Sequence, residues 1–268
     1  MIELLGYPFF RNALIGLIII NIAAAMIGTY IISRRLVAIS GGITHACFGG
    51  LGLGYFLGLN PIAMAATFAV ASSLGVETLS TRYRLREDSA IAVIWAVGMA
   101  IGVIFVFLTP GYVPELNSFL FGNILTVSTS DLLIFAGYTL VLALFFALFF
   151  KKIVAVAFDR DFAKVSGLPV TLITTIMTVL VALCIVLTIK LVGIMLLMSM
   201  LSLPQLIAEL FTKRFKHLIF ISGAIGITGS LAGLFLSAYI NVPCSALIVT
   251  VYAALFIIGK ITTECFNR

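Results

Sequence analysis

The sequence predicts an all-α, polytopic membrane protein of about nine transmembrane helices, with the amino terminus outside and the carboxyl terminus inside. Three observations carry this. The chain is 62% hydrophobic and only 10% charged, its apolar runs approach or exceed the roughly 20 residues that span a bilayer, and its basic residues segregate to alternate loops. The whole chain, 1–268, reads as a single transmembrane domain. The net charge of +6 then reflects basic residues gathered on one membrane face and calls for no nucleic-acid partner.

Taken in order, the spans fall at roughly 12–32, 43–59, 61–80, 89–109, 131–150, 170–189, 191–211, 217–238 and 244–261. The first begins after Arg11, has full span length, and ends at Ser33-Arg34-Arg35 without a small-residue cleavage pattern, so it reads as a retained helix rather than a signal peptide. With these spans, fourteen Lys and Arg residues fall in loops on one side, while only Arg11 and Lys190 fall on the other. The positive-inside rule puts the first set in the cytoplasm and fixes the direction of every span.

Span two carries Gly42, Ala46, Gly50, Gly54 and Gly58 at four-residue intervals, a stripe with almost no side chain that lets another helix approach closely. Gly229, Gly233 and Ser237 make a lesser version in span eight. Ionisable groups in an apolar run are expensive and mark cavities or partners. His45, beside Thr44 on span two, is the principal case. A neutral imidazole there serves either as a ligand for zinc, manganese or iron or as a hydrogen-bonded packing residue. Glu77 and Glu209 lie near the inner ends of spans three and seven, close in sequence to Arg82, Arg84, Lys213 and Arg214, where interfacial salt bridges account for them.

Between spans five and six lies a polar island, FDRDFAKVSGLP, residues 158–169. It reads as one brief helix: Asp159 caps the start, Asp161 sits in the first turn, Lys164 lies near the end, Gly167 stops it and Pro169 follows. Phe158, Phe162 and Val165 recur at helical spacing on one side, with Arg160 and Lys164 on others. At about ten residues it is too short to cross a bilayer. Such a helix suits either a soluble partner's grip or a plain solvated loop. The outer segment from Thr109 to Asp131 has no Lys or Arg, carries Glu115 and Asp131, and reads as a helix at the outer surface or as a loop.

Absences exclude several classes. There is no GxxxxGK[ST] loop, no GxSxG and no HExxH, so energy from ATP would have to come from another subunit. Cys47, Cys184, Cys244 and Cys265 are scattered and form no CxxC pair.

Several stretches together resemble the zinc/manganese/iron-type permease subunits of bacterial ATP-binding-cassette metal importers. YPFFRNALIG with SRRLVAISGGITHACFGG resembles that family's entry span, paired basic residues and GDALSHA-like second span. LFGNILTVSTSDL resembles its outer LFGDILAVS segment, FDRDFAKVSGLP its cytoplasmic DPEFARVSG helix, and LVGIMLLMSMLSLPQLIAE its GxLLVxALLxxPAATA span. The resemblance implies a multi-pass subunit of the cell (inner) membrane that pairs with a second copy of itself and binds two cytosolic ATPases. It would receive metal, zinc in the first place and manganese or iron otherwise, from an extracellular or periplasmic binding protein. The subunit itself would hold no cofactor and hydrolyse no ATP. Asp159, Arg160, Asp161, Phe162, Ala163, Lys164, Val165 and Gly167 would then form the coupling helix that sits in the ATPase. Glu115 and Asp131 would lie where the binding protein docks, and His45 and Thr44 would line the metal path. Two departures stand out: the family's Asp four residues before the histidine is Gly41 here, and Gln205 follows Pro204 where the family has Ala. A permease for iron chelates or cobalamin is an alternative of the same kind. An ion-gradient transporter is another, although inverted repeats and midplane charges are not evident.

Overall fold

The structure, a computed structural model, describes residues 6–111, 122 and 124–266. Among these the chain is helical without strands. Ten α-helices follow in order: α1 (Pro8–Ser33), α2 (Val37–Leu57), α3 (Pro61–Thr81), α4 (Glu87–Leu108), α5 (Thr129–Phe158), α6 (Arg160–Val165), α7 (Val170–Met200), α8 (Leu203–Phe211), α9 (Phe215–Ile240) and α10 (Cys244–Phe266). A short 3₁₀ turn at Ile124–Thr126 precedes α5.

Among the described residues, eight helical stretches are long and apolar enough to cross a membrane. One of them, Val170–Phe211, runs for 42 residues. A straight helix of that length would measure about 63 Å, twice the hydrocarbon thickness. It is broken at Gly193, which sits at φ 80° and ψ 171°, and again between Met200 and Leu203. The sequence reads this region as two spans, which makes the tally nine; uninterrupted, it makes eight. Helix α5 kinks at Phe149 (φ −113°, ψ 16°), beside the span end expected at residue 150, and a further helical stretch continues through Lys151 and Lys152 to Phe158.

The boundaries follow local chemistry. The Asn60 side chain accepts from the amides of Ile62 and Ala63 at 3.0 and 3.1 Å, and Pro61 takes the first helical position of α3. Gly58 closes α2 in the left-handed region at φ 66°, with Gly58 N donating to Tyr55 O and Leu59 N to Gly54 O. Gly58 is therefore a stop signal rather than the last member of the packing stripe, and nothing lies within 4 Å of where its Cβ would be.

The chain divides into two compact units. One comprises residues 1–33, 117–150 and 191–268, the other 34–116 and 151–190. It passes between them at three described places, each close to a break in helical geometry: the α1–α2 link with Arg35 at φ 58°, Phe149 at φ −113° and ψ 16°, and Gly193.

In the second unit α2 packs against both α3 and α4. The small-residue stripe explains how. Steps of four residues advance about 400° around a helix, so the stripe drifts by about 40° per step. Its early members meet α4 and its later ones α3. A Cβ on Gly42 would strike the Ile91 side chain, and the Cα of Ala46 lies 2.6 Å from a Cβ placed on Gly98. Gly50 lies against the Met64 carbonyl and Gly54 against the Pro61 Cα. Because the stripe turns away from α4, the contact there is continued by Gly49 and Gly52, against the carbonyls of Gly98 and Gly102.

In the first unit α9 packs against α1, α8 and α10. The lesser stripe faces α10: a Cβ on Gly229 would lie 2.6 Å from the Tyr252 ring and one on Gly233 2.8 Å from the Ile248 Cα. A buried polar knot ties three of these helices. Asn21 of α1 donates to Ser230 Oγ of α9 at 2.9 Å and to its own helix at Leu17 O. The Tyr252 hydroxyl of α10 donates to Gly226 O at 2.7 Å and lies 3.2 Å from Asn21 Oδ1.

Replacement of Gly98 by Ala forces a Cβ into the α2 backbone and is expected to cost about 1–3 kcal/mol. Gly137→Ala, on exposed α5 with nothing within 4 Å of the new methyl, should instead stabilise by about 0.5–1 kcal/mol. Thermal unfolding midpoints of the two purified variants in detergent should move in opposite directions.

Candidate functional site: a capped helix with its apolar side outward

The six-residue helix α6 is held at both ends by the groups the sequence marks. Asp159 is extended (φ −149°, ψ 102°) and its Oδ1 accepts from Asp161 N at 3.0 Å and Phe162 N at 2.9 Å. Asp161 and Lys164 occupy the first and last turns, where the helix dipole favours their charges. At the other end Gly167, at φ 75°, donates to Lys164 O, and Leu168 donates to Ala163 O, both at 3.1 Å. This is a Schellman closure, and its left-handed position is one that glycine adopts without strain. Six residues would not hold a helical turn unaided in water; the two caps, the buried Ala163 and the inward contacts of Arg160 maintain it.

The inward side is minimal. Ala163 is fully buried, whereas Phe162 is 66% exposed, Val165 89% and the preceding Phe158 58%. The usual arrangement of a surface helix is thus reversed, with the apolar stripe facing away from the protein. Lys164 is exposed as expected, but Arg160 is not on a wet side. Its guanidinium turns inward to Glu87 Oε1 (3.5 Å) and Glu77 Oε1 (3.9 Å), and donates to Thr174 Oγ1 at 3.3 Å. Glu77 therefore pairs with Arg160 rather than with the nearby Arg82 or Arg84. Glu209 pairs with Lys213 one turn on, at 3.7 Å.

His45 lies half-buried on α2. Its ring stacks on Trp95 of α4 with centroids 4.6 Å apart and planes 1° from parallel. Nothing in the spacing of the sequence pointed to Trp95. Thr44 is fully buried and its hydroxyl donates back to Ser40 O. Gly41 offers no side chain one turn before the histidine. Among the described residues no three His, Cys, Asp or Glu side chains converge where a metal ion could be held. Asp131 lies in the first turn of α5, where Ser128 Oγ donates to its Oδ2 at 2.7 Å and accepts from its backbone N–H at 3.2 Å. Glu115, with residues 112–121 and 123 of the outer segment, lies outside the described residues.

Gln205 finds its explanation in the break between α7 and α8. Its amide donates to Met200 O at 3.2 Å, a carbonyl left over where α7 ends, and to Ala24 O of α1 at 2.8 Å. A Cβ on Gly28 would collide with this amide at 2.5 Å, so the small residue on α1 is what admits it.

An all-helical chain with eight or nine membrane-length stretches, interrupted by one short capped helix, defines a multi-pass membrane protein. The chain belongs to the ABC 3 transport family, which it matches over residues 6–263. It is 33% identical over 259 residues to an uncharacterized membrane protein of Synechocystis, covering 97% of this chain and 92% of that protein. It is 31% identical over 254 residues to the manganese transport system membrane protein MntC of Halalkalibacterium halodurans, covering 95% and 87% respectively. Among solved structures it superposes on PsaBC from Streptococcus pneumoniae in complex with Fab, with TM-score 0.83, 31% identity, and coverage of 96% of this chain and 93% of that one.

Loss of the cap should loosen α6 specifically. Asp159→Ala is expected to cost the helix about 1 kcal/mol, and Asp159→Asn, which keeps an acceptor oxygen, much less. Hydrogen exchange of the amides of Asp161 and Phe162 in the two variants measures this directly.

Proposed function

We propose that the chain is the membrane-spanning permease subunit of an ATP-driven importer of divalent metal ions. It acts as a pair of copies with two cytosolic ATP-binding-cassette subunits and takes metal from an external binding protein. The observation that carries this reading is the reversed α6. A capped helix that presents Phe158, Phe162 and Val165 to its surroundings is stable as a shape but leaves an apolar patch uncovered, and a cleft in a soluble subunit would cover it. The lack of a phosphate-binding loop in the sequence supports ATP hydrolysis on that partner. The basic-residue asymmetry supports a cytoplasmic position for α6, where the partner would be.

On this reading Asp159, Asp161, Phe162, Lys164 and Val165 form the face offered to the ATPase, while Ala163 and Gly167 shape the helix that presents it. His45 lies on the metal path with Thr44 packed behind it, and the outer docking surface includes Asp131. With Gly41 in place of a carboxylate, the imidazole is the one histidine or carboxylate ligand that α2 supplies, and a second copy would provide another. Manganese is the cargo favoured by the name of the MntC relative, ahead of zinc.

Proline at Ala163 removes the bond from Ala163 N to Asp159 O, which is 3.1 Å long, and cannot be accommodated in so short a helix. Ala163→Pro should abolish manganese uptake while the protein still reaches the membrane; unimpaired uptake would end the coupling reading. The cation path is tested separately. Trp95 is the chain's single tryptophan, so its emission reports on the ring stacked against it. Addition of Mn²⁺ or Zn²⁺ to the purified permease should change that emission, and His45→Ala should remove the response. An emission indifferent to both ions in the parent protein would return His45 to a packing role.

A further inference from the structure

The charged groups of α6 do not act alike. Lys164 points to water, whereas Arg160 reaches back into the unit that contains its own helix. Its contacts belong to three long helices: Glu77 in the last turns of α3, Glu87 at the first position of α4, and Thr174 in the second turn of α7. Arg34, in the link before α2 and only 7% exposed, donates to the same Glu87 Oε1 at 2.8 Å. Two guanidinium groups and two carboxylates thus balance one another around a cavity of about 20 Å³, which Ser73 and Thr178 help to line. That is room for one water molecule. A side chain serving solubility would not be held in this way, and one serving partner contact would lie beside Phe162 and Val165.

We propose that Arg160 is a positioning residue, the strut through which displacement of α6 is passed to α3, α4 and α7. This rests on the reading of α6 as the helix an ATPase grips. The chemistry suits the task. A guanidinium is planar and offers five donors in a fixed fork, so it holds several acceptors on different elements in a set geometry, which a lysine on a flexible stem does not. The other tethers of α6 are its chain ends and Ala163. The link to α7 turns at Gly167 in the left-handed region, so α6 and α7 are not one continuous rod. Arg160 spans that turn directly through Thr174. Because Glu87 Oε1 is shared with Arg34, the same push reaches the start of α2, the helix that carries His45.

The test uses the assembled importer in proteoliposomes, with its ATPase and its Mn²⁺-loaded binding protein. For Arg160→Gln, the ATPase should co-purify at the parent stoichiometry. Mn²⁺ uptake, and the part of ATP hydrolysis that the loaded binding protein stimulates, should both fall at least tenfold. Glu87→Gln, which weakens the shared acceptor, should uncouple in the same way, and Arg160→Lys should recover part of the uptake. Uptake and stimulation within twofold of the parent in Arg160→Gln would overturn the proposal, as would a lysine variant no better than glutamine. Loss of the ATPase from the Arg160→Gln complex would overturn it too, since Arg160 would then be a docking residue. If Arg160→Gln does not reach the membrane, the isosteric Glu77→Gln is read by the same criteria, and coupling within twofold of the parent overturns the strut. Phe162→Glu tests the underlying reading on its own. An ATPase that still binds and responds in that variant removes the docking role of α6, whatever Arg160→Gln shows.

Discussion

Hydrocarbon supplies no hydrogen bonds, so every carbonyl and amide freed where a helix stops or breaks must find a partner within the chain. The construction of this protein follows from that constraint. Gly58 and Leu59 donate back to α2 where it ends. Gln205 supplies an amide to Met200 O where α7 gives out, and the buried Tyr252 hydroxyl, under the same constraint, donates to the Gly226 carbonyl inside α9. Each such repair needs room, and the room comes from glycine: Gly28 admits Gln205, Gly226 admits Asn21, and Gly229 admits the Tyr252 ring. The high glycine content of so apolar a chain is thus a packing requirement twice over, for backbones that touch and for polar side chains that must pass between them.

The same logic separates what the sequence made legible from what it did not. Membrane-length helices, their order and the capped α6 could all be read, because length, hydropathy and capping residues are local signals. The direction in which a small-residue stripe faces could be read only in part. Four-residue spacing marks a stripe, but its drift around the helix carries it from α4 to α3, and Gly49 and Gly52 complete the α4 contact without belonging to the stripe. Partners distant in sequence left no local trace. Trp95 lies fifty positions beyond His45, and Glu77 turns to Arg160 rather than to the arginines that follow it within a few residues. Gln205 could be noticed as a polar intruder, yet its purpose depends on a helix break whose position shows only in the backbone.

The reversal of α6 has the same origin. Periodicity in a sequence identifies an apolar side and a charged side but says nothing of which one faces inward, and the usual assumption buries the apolar side. Here Ala163 occupies the inward position and a charged residue accompanies it, because the surroundings of α6 supply carboxylates at the ends of α3 and α4. A guanidinium flanked by Glu77 and Glu87 is compensated where it lies. An aromatic ring in that place would leave both carboxylates facing Arg34 alone, and uncompensated charge at partly buried positions is costly. The apolar residues are turned outward as a consequence, so the inward ion pairs and the outward patch are two aspects of one arrangement.

If His45 lies on the metal path, as proposed, Gly41 would bear on how cargo is selected. A carboxylate one turn before His45 would hold a hard divalent cation by charge, whereas an imidazole alone binds through a neutral nitrogen and discriminates by the softness and preferred geometry of the ion. The Trp95 ring stacked on His45 adds a constraint that a carboxylate partner would not: the imidazole plane is fixed, so the direction of its nitrogen lone pair is fixed with it. A ligand with one set direction and no countercharge binds weakly by itself. On the proposed function, weak holding would suit transport, because an ion that is handed over and released must not be trapped between the two steps, and the work of moving it would fall to an ATPase partner rather than to affinity.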